Sequence, residues 1–340
     1  MTSTRRTTTL LGLAAASALA LAGCAGSPAA GGQADGVISV VASTNVYGQI
    51  AEQIGGDLVE VTSIVTNDAQ DPHSFEASAR DQLTIANADL IIENGGGYDA
   101  FVDALIDSSG SAAPVVTAVE FSHDWPENDG HDAESDGAES DGAGDADSDD
   151  HAEDEGHEHG DHEHVEGFNE HVWYDPHTVA HVADAIAGEL GALSPENAAT
   201  FTANAEAFAA DIDGLEAALA DIDAAHAGAS VFMTEPVPFY LVVAAGLADV
   251  TPAAFSEAVE EGQDVPPATL LESLAVLEDG DVRVVITNTQ TAGAETAQII
   301  DEAEGRGIPS IAFSETLPEG QTYISWMQAN IEALNGALGA

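Results

Sequence analysis

The apolar positions of this 340-residue chain fall into short continuous runs separated by stretches with helical spacing. Continuous apolar runs of four to eight residues indicate buried strands, and apolar residues recurring every three to four positions indicate helices. The predicted strands cover residues 37–42, 59–65, 90–92, 114–119, 231–233, 282–286 and 309–313. The predicted helices cover residues 46–54, 83–88, 101–106, 178–190, 239–247, 268–277, 292–304 and 323–338. This alternation predicts an α/β fold whose mostly parallel sheets are covered by helices.

One helical pattern is much longer than the others. It extends over residues 194–227, with Ser194 as the expected N-cap and Pro195 at the first helical position. About 30 residues with a rise of 1.5 Å each give a helix of roughly 45 Å, which suits a connector between two lobes. Strand–helix alternation restarts after it. We therefore expect two Rossmann-like lobes, residues 36–192 and 229–340, joined by this helix.

The N-terminus has the features of a lipoprotein signal peptide. Two arginines precede a short apolar run that is too short to span a membrane. The run ends in Leu-Ala-Gly-Cys, which resembles the bacterial lipobox, so we expect residues 1–23 to be removed and Cys24 to be lipidated. Residues 25–35 then form a flexible linker. The lipid would anchor the protein to the outer face of the cell membrane. An ordinary secreted chain is the alternative.

The net charge of −56, with five arginines and no lysine, excludes some partners and attracts others. Nucleic-acid binding requires a basic face, which such a chain does not offer. Anionic lipids would be repelled by the negative charge. Cations are attracted to such a chain. Because the acids are spread along the whole sequence, adaptation to salt explains much of this excess.

An acidic insertion over residues 124–166 carries 19 Asp and Glu and has too few apolar residues to build a core. We expect it to be disordered. Its histidines are typical of a flexible tract that binds divalent metals weakly rather than of a site with fixed geometry. The expected accessory ligands are His151, His157, His159, His162 and His164.

Four other side chains are candidates for a metal site of fixed geometry. Ligands of open α/β sheets bind outside the carboxyl ends of the strands. His73 follows the second predicted strand, Glu235 and Glu315 directly follow two later strands, and His171 lies where order resumes after the insertion. Two imidazoles and two carboxylates would balance a divalent cation and suit zinc or manganese. Taken singly, each has a structural alternative: a turn or core histidine, or a solvated or helix-capping acid.

The motifs around these residues carry a family resemblance. Asp-Pro-His-Ser-Phe-Glu at 71–76 and Glu-His-Val-Trp-Tyr-Asp-Pro at 170–176 resemble the two histidine motifs of zinc- and manganese-binding lipoproteins of metal ABC transporters. The insertion lies before the second motif, as it does in the zinc members of that family. Thr-Glu-Pro at 234–236 and Ser-Glu-Thr-Leu at 314–317 resemble the segments that hold the third and fourth ligands.

The resemblance implies a binding protein, not an enzyme. It implies two lobes joined by a rigid helix, with the metal in the cleft between them, and delivery of this metal to a permease driven by an ATPase. Zinc members often have histidine where this chain has Glu235, and most members have Asp where it has Glu315. Two carboxylates are more typical of manganese members, but the His-rich insertion favours zinc, which we therefore expect, with manganese as the alternative.

Four further points remain open. A zinc hydrolase could use the same ligands, although the chain has no His-Glu-x-x-His or Gly-x-Ser-x-Gly motif. A surface adhesin or extracellular metal buffer is the third class. We expect a monomer, and we expect Asp175 to orient His171 by accepting a hydrogen bond from its ring.

Overall fold

The computed structural model describes residues 36–67, 69–128, 165, 167–291 and 293–339. The predicted signal peptide, the lipidation site Cys24 and the linker lie outside the described residues, as does most of the acidic insertion. The same holds for the accessory histidines His151, His157, His159, His162 and His164. Within the part of the chain that is described, no helix is long and apolar enough to cross a membrane.

Two parallel four-stranded sheets form the two lobes. The first contains β1 (Ile38–Thr44), β2 (Val59–Val65), β3 (Leu90–Glu93) and β4 (Val115–Thr117) in the order β2-β1-β3-β4. The second contains β5 (Ser230–Met233), β6 (Ala248–Asp249), β7 (Val282–Asn288) and β8 (Ser310–Phe313) in the order β6-β5-β7-β8. The strand order is therefore the same in both lobes, and the predicted fold class is confirmed.

Ten α-helices accompany these strands in the described residues. They are α1 (Asn45–Gly55), α2 (Ala79–Ile85), α3 (Phe101–Ser109), α4 (Pro176–Leu193), α5 (Ala198–His226), α6 (Phe239–Ala244), α7 (Ala253–Glu260), α8 (Pro267–Glu278), α9 (Ala294–Arg306) and α10 (Tyr323–Leu338). Sequence analysis missed β6 and α7. β6 has only two residues, and α7 buries a single side chain, Phe255, so neither produces a readable apolar pattern.

Helix α2 begins four residues before the predicted start at Leu83. Ser78 and Asp81 form a capping box, in which the Ser78 hydroxyl accepts from the Asp81 N–H and the Asp81 carboxylate accepts from the Ser78 N–H. This arrangement satisfies backbone donors that the first turn of a helix leaves unpaired. The cap, rather than the apolar spacing, determines where the helix starts.

The long helix α5 has 29 residues and packs along α4. The prediction that Ser194 is its N-cap is wrong. Ser194 ends α4 instead, where its N–H donates to the Leu190 carbonyl at 2.9 Å. The Asn197 amide then donates to the Ser194 hydroxyl at 2.9 Å, and α5 begins only at Ala198. Residues 194–197 are therefore the turn between two helices.

Hydrogen bonds join the two lobes at the carboxyl ends of their strands. The Asn45 side chain, directly after β1, donates to the Leu317 carbonyl at 2.8 Å and accepts from the Leu317 N–H at 2.9 Å. The Tyr174 hydroxyl donates to the carbonyl of Ser314 at 2.7 Å. The loops that follow the strands of one lobe thus lie against those of the other, which is where the candidate ligands were expected.

Candidate metal centre

His73 lies in a tight loop between β2 and α2. Asp71 holds this loop, since its carboxylate accepts from the His73 N–H at 2.9 Å and from the Ser74 hydroxyl at 2.8 Å. The Phe75 ring packs on Phe101 of α3 with centroids 4.8 Å apart. Hydrogen bonds to Asp71 and the packing of Phe75 therefore hold the loop on both sides of the His73 imidazole.

The loop after β3 brings an aromatic ring against both candidate histidines. Gly95, Gly96 and Gly97 all have positive φ (79°, 68° and 94°), a conformation that residues with a side chain rarely adopt. The turn that they make leads into Tyr98, whose ring is fully buried. Its centroid lies 4.8 Å from that of His73 and 5.8 Å from that of His171.

His171 is 1% exposed, and Asn169 fixes its ring. The Asn169 amide NH₂ donates to the Pro236 carbonyl of the other lobe at 2.9 Å, which places Oδ1 toward His171. Asn169 Oδ1 lies 2.8 Å from His171 Nδ1 and also accepts from the His171 N–H at 2.9 Å. Because an amide oxygen can only accept, the hydrogen-bond network assigns the proton to Nδ1 and leaves Nε2 as the nitrogen that can bind a metal.

Asp175 does not orient His171, contrary to expectation. Its carboxylate accepts from the His177 N–H at 3.1 Å and from the Thr178 hydroxyl at 2.6 Å. It is thus the N-cap of α4, with Pro176 in the first turn. An aspartate directly before such a proline is a typical helix start, so the signal for this role was present in the sequence.

An amide holds the two predicted carboxylate ligands close to each other. Asn288, the last residue of β7, donates through its Nδ2 to Glu235 Oε2 at 3.0 Å and to Glu315 Oε1 at 2.7 Å. The Thr291 hydroxyl donates to the other oxygen of Glu235. The Tyr98 hydroxyl of the opposite lobe donates to Glu315 Oε2 at 3.2 Å. Both glutamates are therefore buried and oriented by neighbouring donors.

The structure brings three of the four predicted ligands into one group. His73, His171 and Glu315 each offer a ligand atom, and these atoms all lie within 4.8 Å of one another. Glu235 lies outside this group, although Asn288 connects it to Glu315. Two imidazoles and a carboxylate within this range fit a divalent transition metal after small side-chain adjustments.

A second group was missed by sequence analysis and shares His73 with the first. It consists of His73, Glu170 and Glu260, again with ligand atoms within 4.8 Å of one another. Glu260 is the last residue of α7, and its Oε1 lies 3.7 Å from His171 Nε2. In a chain with so many acids, nothing in the local sequence distinguishes Glu260 from its neighbours.

The centre concentrates carboxyl groups whose ionisation is unfavourable. Burial raises the pKa of Glu315 to about 8, and the nearby Glu235 carboxylate adds to this effect while the hydrogen bond from Asn288 opposes it. Burial also raises the pKa of Glu260 to about 9, with further contributions from neighbouring carboxylates. The described arginines lie elsewhere: Arg80 and Arg283 are exposed, and Arg306 pairs with acids of α8 and α9. A bound cation would therefore supply the balancing charge and displace protons.

Comparison with known proteins identifies the family and the fold. The model of a family described as "ZnuA: Zinc-uptake complex component A periplasmic" matches residues 40–337, which is most of the chain. The manganese-binding lipoprotein MntA of Bacillus subtilis (strain 168) is 32% identical over 101 residues, which cover 30% of this chain and 32% of that protein. The chain thus matches only about a third of the length of this curated relative.

Solved structures share the fold over nearly their whole length. The periplasmic zinc-binding protein TroA from Treponema pallidum superposes with a TM-score of 0.67 at 18% identity, covering 89% of this chain and 99% of that one. The laminin-binding protein Lmb of Streptococcus agalactiae gives a TM-score of 0.66 at 22% identity, covering 88% and 99%. At these identities the likeness supports the two-lobed fold.

Proposed function

The chain belongs to the ZnuA family of periplasmic zinc-uptake components, and from this premise we propose that it captures zinc outside the membrane and delivers it to an ABC-type importer. The observation that carries the proposal is the convergence of His73, His171 and Glu315 from two lobes on one buried point. A site built from loops of both lobes can be assembled and taken apart by lobe movement, as a carrier requires.

The proposed ligands are His73, His171, Glu235 and Glu315. The two neutral imidazoles suit a borderline metal such as zinc, and the two carboxylates neutralise its charge. Glu235 would complete the set by a small movement, because Asn288 already holds it beside Glu315. Four protein ligands leave no easy place for a reactive water, which favours a binding protein over a zinc hydrolase.

Manganese is the second candidate cargo. The supporting observation is the number of carboxylates at the centre, because Glu170 and Glu260 lie beside the predicted ligands. Hard carboxylate oxygens suit manganese better than they suit softer metals. The likeness to the manganese-binding lipoprotein MntA points the same way. The histidine tract within the insertion favours zinc, which we keep as the first choice.

We further propose that Cys24 carries the lipid that holds the protein at the outer face of the cell membrane. The Leu-Ala-Gly-Cys sequence supports this assignment, and so does the likeness to a lipoprotein. The linker over residues 25–35 would allow the lobes to reach a permease in the same membrane, whose partner is a cytoplasmic ATPase. The lobes themselves would act as a monomer.

The test is metal analysis of protein purified without added metal, followed by competition between zinc and manganese. We expect one tightly bound zinc per chain. His73→Ala and His171→Ala should each abolish tight binding, whereas His226→Ala, at the far end of α5, should leave it unchanged. Zinc affinity that is unaltered in both variants would refute the assigned site, and preferential retention of manganese would establish the second candidate.

A further inference from the structure

We propose that Glu260 is a further ligand of the captured cation and closes the metal centre on the side of a neighbouring cavity. This inference rests on the proposed function, because it assigns one more residue to the same centre. Glu260 comes from α7, an element that supplies none of the four ligands proposed above. Its assignment depends only on where the fold places its carboxylate.

Glu260 lies close to the metal-binding edge of the His171 ring. Because Asn169 engages His171 Nδ1, the nitrogen left for a metal is Nε2, and Glu260 Oε1 lies 3.7 Å from it. Two ligand atoms bound to one zinc ion at about 2.1 Å and a tetrahedral angle are about 3.4 Å apart. A movement of a few tenths of an ångström would therefore let both atoms share one ion.

The Glu260 oxygen that faces His171 is available to a cation. Glu260 Oε1 is buried and accepts no hydrogen bond from the described residues, and its side chain is only 16% exposed. A buried carboxylate oxygen without a donor is costly unless a cation completes its environment.

Glu260 lies between the imidazoles and a cavity. This cavity, of about 860 Å³, has Glu170 and Glu260 among its lining residues, together with the exposed acids Glu257 and Glu261. Because Glu260 and Glu170 also form a ligand group with His73, the wall of the cavity is continuous with the metal centre. A cation that entered through the cavity would meet Glu260 before it reached His171.

The experiment compares zinc affinities of full-length variants by competition with a chelating dye. Glu260→Gln removes the charge, Glu260→Asp keeps the charge but withdraws the oxygen, and Glu257→Gln removes a charge from the same helix and cavity. Supporting groups around metal ligands change affinity by about 10–100-fold, so loss of a ligand should cost at least about tenfold. We expect both Glu260 variants to lose at least this much relative to Glu257→Gln.

Thermal unfolding of the metal-free proteins separates loss of a ligand from damage to the fold. Gln keeps the size and shape of the Glu260 side chain, so the melting temperature of metal-free Glu260→Gln should be unchanged or higher. A loss of less than about tenfold in either Glu260 variant would overturn the ligand assignment. If His73→Ala and His171→Ala abolish binding in the same assay, only the role of Glu260 fails; if they do not, the proposed function fails as well.

Discussion

Asn169 should control zinc affinity without contacting the metal. Its Oδ1 accepts from Nδ1 and the backbone N–H of His171, and its Nδ2 donates to the Pro236 carbonyl. Asn169→Ala removes all three hydrogen bonds, so the imidazole loses both its fixed tautomer and its fixed orientation. Partners of metal-binding histidines are typically worth 10–100-fold in affinity. We therefore expect zinc binding to weaken by about 1.4–2.7 kcal/mol, since each factor of ten corresponds to about 1.4 kcal/mol.

Asn169→Asp distinguishes the two roles of this side chain. The carboxylate keeps an acceptor for His171 Nδ1 but loses the donor to Pro236, so this variant should bind zinc more tightly than Asn169→Ala. Calorimetry in the presence of a competing chelator measures both. Asn204→Ala is the control, because the Asn204 amide of α5 donates to the Ile54 carbonyl of α1. Affinity of Asn169→Ala within threefold of the original protein would refute the reasoning.

Three more predictions concern pH, the insertion and lobe movement. Burial raises the pKa of Glu93, which accepts from the Thr117 hydroxyl, to about 8. Folding thus favours its neutral form, and this contribution to stability is present below about pH 4.5 and is lost as pH rises toward 8. The Glu93→Gln variant should not show this loss. Its free energy of unfolding, minus that of the original protein, should therefore increase by up to about 1.4 kcal/mol per pH unit between pH 4.5 and 8. Urea titrations at several pH values measure this difference, and a difference that does not change with pH would contradict the prediction. In calorimetric titration, deletion of residues 129–164 should abolish several weakly bound zinc equivalents and retain one tightly bound equivalent. Loss of the tight equivalent would show that the metal centre depends on the histidine tract. Because the 29-residue α5 is continuous, zinc should change the radius of gyration in solution scattering only slightly, and a large change would exclude small lobe movements.

The strand-end rule explains why part of the centre could be predicted from sequence. His73, Glu235 and Glu315 each follow a strand whose apolar run is easy to recognise, and parallel strands place their carboxyl ends at one edge of a sheet. Glu260 follows no strand. It ends a short helix with one buried residue, in a chain with 61 acidic residues, so only the packing of α7 brings it to His171.

The wrong predictions for Ser194 and Asp175 have a common physical origin. Ser194 and Asp175 were both interpreted from their residue type, but each side chain can accept from more than one donor. Asp175 precedes a proline in the first turn of α4, so its carboxylate caps this helix and is not available to His171. Ser194 follows α4 so closely that it ends this helix before α5 begins. Competition between nearby donors decides such roles, and apolar spacing carries no information about it.

The division of the proposed ligands between the lobes suggests how a tightly held ion could be released. The first lobe would supply the imidazoles of His73 and His171, and the second would supply the carboxylates of Glu235, Glu260 and Glu315. Imidazoles alone give a borderline metal its preferred nitrogen ligands but leave its charge unbalanced, and carboxylates alone give it only hard oxygens. Neither half is a complete zinc site. Metal–ligand bonds of about 2.1 Å tolerate little stretching. A small separation of the lobes would therefore break the bonds to one half of the ligands. A stiff connecting helix is compatible with a movement of that size.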